Sequence, residues 1–190
     1  MESVALIIFN YDRCVEHFLY HSLRNVYGMI GDKAADLVQS IEIYHPYGTV
    51  GNLPWQTGDS PVAFGEELYS QKLLNVSKEI KTFTEGTDPE SSEIIAIKKL
   101  MLESKMILFL GFKFHRMNLE LLEQENPSHV KLTARKCYAT AKGISDSDCE
   151  LIKVELANSA MIQLGKVQLR NDLECNQLFH EYWRHLSLIK

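Results

Sequence analysis

Apolar positions fall in blocks along the chain, and their spacing switches between that of strands and that of helices. Val4-Ala-Leu-Ile-Ile-Phe9 is continuously apolar and rich in branched residues, the pattern of a strand buried on both faces of a parallel sheet. After Asn10-Tyr11-Asp12, apolar residues at Val15, Phe18, Leu19, Leu23 and Val26 follow helical spacing until Gly28 stops them. A short second helix is expected over Asp32 to Ile41, with Asp32 as its N-cap, and Glu42-Ile-Tyr44 then reads as a second strand. His45 to Ser60 holds Pro46, Gly48, Gly51, Pro54, Gly58 and Asp59, a density of turn formers that implies a long shaped loop.

The alternation continues. Leu68 to Thr84 is expected to be helical, Glu85 to Ser92 a polar linker, and Glu93 to Ser104 another helix. Met106 to Phe112 is the candidate central strand, followed by a helix from Asn118 to Gln124. Val130 to Thr140 carries another strand. Ser145-Asp-Ser-Asp148 offers an N-cap and an acidic first turn for a helix reaching Ser159. Val167-Gln-Leu169 is a last strand and Leu173 to Leu188 a closing helix. Repeated strand and helix predict an α/β fold, a mostly parallel Rossmann-like sheet with helices on both faces. Residues 1–190 are read as one domain, with 55–92 as a small helical insertion.

Composition narrows the function. A formal charge of -5 and a pI near 5.8 give no basic field for a polyanion, so nucleic acid is not an expected partner. The longest apolar runs are far shorter than the roughly 20 residues that span a bilayer, and the amino terminus lacks the basic region of a signal peptide. A membrane segment is not expected, and the cytoplasm is. Cys14, Cys137, Cys149 and Cys175 include no C-x-x-C pair, so they read as reduced thiols, and neither zinc nor another metal is expected. His17 and His21 stand four apart on one helix, a spacing that can hold zinc, without an evident acidic or cysteine partner.

Three polar signatures follow three strands: Asn10-Tyr-Asp12, His45-Pro-Tyr-Gly48 and Gly111-Phe-Lys-Phe-His115. A doubly wound sheet sets its ligand contacts at these places. Taken singly, Asn-x-Asp is an ordinary turn and helix start, His45 a loop-shaping residue, and Gly111 a point of close approach.

In this order the motifs resemble the sirtuin-like domains of bacterial proteins that consume NAD, many of them in anti-phage defence. Ile8-Phe-Asn-Tyr-Asp-Arg-Cys-Val-Glu-His17 carries most of the likeness and Ile107 to His115 supports it. The resemblance implies NAD glycohydrolase-type chemistry. Asn10 would contact the nicotinamide ribose or position a water, and His45 would be the general base. Asp12, Tyr47, Gly48, Gly111, Phe112 and His115 would bind the cofactor.

The chain departs from that family in two ways. The family's histidine commonly stands immediately before the glycine, where this chain has Tyr47, and no Gly-x-Gly turn is present to approach a pyrophosphate. A fragment of a longer protein, a relative that has lost NAD binding, and a subunit completed by a second copy or another chain are the alternatives. Protein deacylation is disfavoured, because sirtuins of that type carry a four-cysteine zinc module and no cysteine lies between Trp55 and Glu93. A non-catalytic binding or scaffold domain, or a Rossmann-like pocket for some other small molecule, is the competing reading.

Overall fold

The computed structural model describes residues 4–58, 61–81, 91–123 and 135–187, and the chain divides into two units, Met1–Asp88 and Pro89–Lys190. Both contain parallel strands connected through helices, so the chain is a mixed α/β protein. Among the described residues no helix is long and apolar enough to cross a membrane.

In the first unit, β1 (Ala5–Ile7) pairs in parallel with β2 (Glu42–Tyr44), in the register Leu6 to Ile43. The ladder is prolonged where the amide of Ile8 donates to the Tyr44 carbonyl at 2.8 Å. Between them run α1 (Cys14–Asn25) and α2 (Gly31–Gln39). The small residues Ala34 and Ala35 of α2 let it approach Tyr20 of α1, and Leu19, Leu23 and Ile43 close the cluster. α2 begins one residue before the expected N-cap. Ile30 occupies the cap position without a side-chain bond, and Asp32 lies in the first turn, where its charge suits the helix dipole.

The buried stripe of α1 also differs from the apolar one. Phe18 and Val26 are 68% and 74% exposed, whereas Glu16 and Tyr20 are buried. Tyr20 earns its burial by stacking on Trp55, with ring centroids 4.5 Å apart, and Glu16 by a polar partner described below. β1 is half-buried along its length rather than enclosed on both faces. α3 (Ser70–Ser77) is shorter than the expected helix, whose end at residues 82–84 lies outside the described residues, as does most of the expected 85–92 linker.

The second unit carries α4 (Ser92–Glu103), β3 (Met106–Phe109), α5 (Arg116–Leu122), β4 (Lys136–Thr140), α6 (Asp146–Ser159), β5 (Val167–Arg170), α7 (Cys175–Glu181) and α8 (Trp183–Ser187). Its three strands are parallel in the order β3-β4-β5. The middle place in this sheet therefore belongs to β4, whose last four residues are all buried, and not to the Met106 strand. The first part of the expected 130–140 strand falls outside the described residues. Ser145 caps α6 as its sequence implies, its hydroxyl accepting from the Asp148 amide at 3.1 Å. The closing helix is broken at Tyr182, whose ring lies 4.5 Å from that of Tyr138 while its hydroxyl accepts from Arg170. A tertiary contact here overrides helical continuity.

Arg135 is buried and donates to the carbonyls of Met101 and Ala160 at the ends of α4 and α6. These are carbonyls that helix termini leave without intrahelical partners. Cys137, at the centre of the sheet, is fully enclosed, and burial pushes its thiol up to about 12. Cys149 is buried and also raised by burial. Exposed Cys14 is raised instead by its hydrogen bond to Asp12. With Ellman's reagent at neutral pH, Cys14 is expected to react in the native protein, more slowly than a free thiol. Cys137 and Cys149 should react only after denaturation, and native-state labelling of Cys137 would contradict this packing.

Candidate functional site

The polar turn after β1 is built around Asp12. Its Oδ1 accepts the amide of Cys14 at 3.0 Å and so opens α1. Hydrogen bonds from Cys14, then one from the Asn10 side chain and the nearness of His45, hold the Asp12 carboxyl below its ordinary value. Asn10 itself is exposed. From this start α1 turns Glu16 inward, to a side chain only 5% exposed.

β2 delivers the other half. His45 follows its last residue, and a tight turn through Pro46 and Tyr47 closes where the Gly48 amide donates to the His45 carbonyl at 2.8 Å. The imidazole lies between two acceptors. Its Nδ1 is 3.2 Å from the Asn10 carbonyl oxygen and its Nε2 is 2.7 Å from Glu16 Oε1. A carbonyl can only accept, so Nδ1 carries a hydrogen and donates it. At 2.7 Å a second proton must lie between Nε2 and the carboxyl oxygen, on one or the other. Neither ring nitrogen is left with a lone pair directed at a third group.

Tyr47 is 3% exposed and meets Phe9 edge-on, with centroids 5.9 Å apart. Burial is the main reason its hydroxyl is raised above its ordinary value. Gly48 has φ +75°, and a Cβ there would lie 1.8 Å from the Glu79 carbonyl oxygen. The carbonyl of Tyr47 accepts from the Lys81 amide at 2.9 Å, so the chain after α3 runs directly against this turn.

Beside His45 opens a cleft of about 360 Å³, lined by Arg13, Glu16, Gln39, Asn52, Gln56 and Thr57 among others. Arg13 is 4% exposed and donates through Nη1 to the Val62 carbonyl at 2.7 Å. Burial lowers its basicity, and Glu16 and Glu66 oppose that effect. Among the described residues, Arg13 Nε and Glu16 Oε2 are buried side-chain atoms with no hydrogen-bond partner. Buried polar groups left so cost about 1–3 kcal/mol each. Arg13, at the N-cap of α1, and Glu16, in its first turn, both line the cleft.

The structure thus gathers Asn10, Asp12, His45, Tyr47 and Gly48 in the first unit. The third motif belongs to the second unit. Gly111, at φ +63°, follows β3 and donates its amide to Thr140 Oγ1 at 3.0 Å. The Phe112 ring packs against those of Phe109 and Phe114 at 5.2 and 5.3 Å. His115 is exposed and precedes α5 without a side-chain cap bond.

Two residues of the cleft, Arg13 and Glu16, were not among the sequence candidates. Glu16 lies four residues before Tyr20 and seven before Leu23 on the inner side of α1. A carboxylate in phase with that stripe is the signal that points to it. No family model, curated protein or solved structure matches the chain.

Glu16→Ala leaves His45 facing empty space with its hydrogen-bonding capacity unmet. Denaturant unfolding should show a loss of about 3–5 kcal/mol, the usual result of breaking a buried ion pair from one side; a loss below about 1 kcal/mol would mean that the pair is open to solvent. Gly48→Ala should cost more than about 1 kcal/mol in the same assay, since it meets both a left-handed backbone and the Glu79 carbonyl.

Proposed function

We propose that the chain is a sirtuin-like domain of Rossmann type that handles NAD or a related nucleotide as a ligand and does not cleave it. The sheet pairing is parallel in both units, and Asn10, His45 and Gly111 each follow the carboxyl end of a strand. That is where open α/β sheets hold ligands. The observation that carries the non-hydrolytic reading is the engagement of both His45 nitrogens, by the Asn10 carbonyl and by Glu16. A general base needs a lone pair within reach of the proton it removes. His45 in this arrangement directs none.

Tyr47 supports the same conclusion. It occupies the place before glycine where the family's histidine commonly stands, and it is a buried phenol packed on Phe9. Phenols ionise near pH 10, and burial moves this one further from use as a base at neutral pH. The polar cleft formed with Arg13 and Glu16 gives a ligand room without supplying a free base. We further propose a cytoplasmic location, and association with a second copy or a partner subunit that completes the site.

The test is nicotinamide release from NAD by the full chain and by Asn10→Ala, with thermal melting in NAD measured beside it. Neither protein should release nicotinamide above buffer. NAD at 100 times its dissociation constant should stabilise the fold by about 2.7 kcal/mol. Release that Asn10→Ala abolishes would replace this reading with an NAD hydrolase, and an unchanged melting temperature would point to a scaffold or to a different small molecule.

A further inference from the structure

A second cleft of the first unit, about 440 Å³, opens beside α1 between its histidines and the side chains of Leu53, Pro54, Trp55 and Phe64. His17 and His21 stand one helical turn apart on α1, and their ring centroids approach to 4.3 Å. The neighbouring rings hold both imidazoles in place. Phe64 stacks on His17 at 4.0 Å with a 16° interplanar angle, and Tyr20 meets His21 edge-on at 5.2 Å. Among the described residues no hydrogen bond engages a ring nitrogen of either histidine. They differ in this from His45, whose nitrogens are both occupied.

We propose that His17 and His21 form a two-histidine clamp for a borderline divalent transition metal such as Zn²⁺, with its remaining coordination positions open to the cleft. Imidazole nitrogen is a natural donor to such ions and a poor one to Mg²⁺. Spacing of i and i+4 sets two imidazoles on one helix face, the arrangement that metal-binding helices use. A metal competes with protons for its ligands. Among the described residues no group of three or more histidine, cysteine, aspartate or glutamate side chains surrounds such an ion. As proposed, the site is an open one, its other positions taken by water or by a ligand in the cleft, unlike the closed four-ligand zinc of a structural module.

The clamp is independent of the nucleotide reading, and its test uses the metal alone. The full chain is titrated calorimetrically with Zn²⁺, and with Mg²⁺ as control, at neutral pH and again at about pH 5, where imidazoles are largely protonated. One Zn²⁺ per chain should bind at neutral pH, with little binding in acid and none of Mg²⁺. His17→Ala and His21→Ala should each weaken Zn²⁺ binding by about tenfold or more. Both side chains are only partly buried, so metal-free melting and circular dichroism should match the parent and show that the fold is kept. Cys14→Ser should leave binding unchanged. Zn²⁺ binding that survives either histidine substitution, that follows Cys14, or that is absent at neutral pH would overturn the proposal.

Discussion

The contact between His45 and Glu16 ties the carboxyl end of β2 to the first turns of α1, and the geometry of the first unit's polar cleft follows from it. Glu16 is 5% exposed, so its carboxyl is removed from water in the folded chain. That desolvation is offset only if the imidazole is held at hydrogen-bond distance, and the Asn10 carbonyl holds it from the other side. The turn Asn10-Tyr-Asp, the start of α1 and the His45 turn are thereby fixed together, although they are far apart in sequence. Arg13 extends the same arrangement outward to Val62.

Such a buried polar pair brings little net stability over a well-packed apolar one, because attraction and desolvation nearly cancel. What it does supply is definition. The imidazole is gripped from both sides, by the Asn10 carbonyl and by Glu16, and the turn that follows β2 is anchored at its first residue. In the reading proposed above, the imidazole serves as a structural bridge and moves no protons for a substrate.

The α/β class was legible because branched apolar runs and helical stripes are local signals. The strands at Ala5–Ile7 and Met106–Phe109 lie in apolar runs, and those at Glu42–Tyr44 and Val167–Arg170 in short segments that alternate polar and apolar residues. Ser145 was legible as a cap for the same reason, since its bond spans only three residues. Contacts with distant partners were not. Glu16 is buried with His45 as its partner, and its phase with Tyr20 and Leu23 marks the position without revealing that partner. Phe18 is exposed although it fits the apolar periodicity, and Tyr182 ends a helix because Tyr138 and Arg170 draw it aside. His45 was found by its place after a strand. Its two acceptors, which decide what the ring can do, become visible only once the strands are paired.

The close fit of Gly48 against the Glu79 carbonyl, with the Lys81 amide bonded to Tyr47, fixes both ends of the excursion between them. Such an excursion can change in length at small cost, since each doubling of a flexible loop adds only about 0.6 kcal/mol of closure entropy. Within that excursion Phe64 is stacked on His17 and Glu66 is bonded to Lys72, so the chain gains or loses residues most cheaply in the stretch away from those two contacts. Variation in length among relatives of this chain would therefore collect in that stretch, while the spacing from β2 to the glycine stays constant.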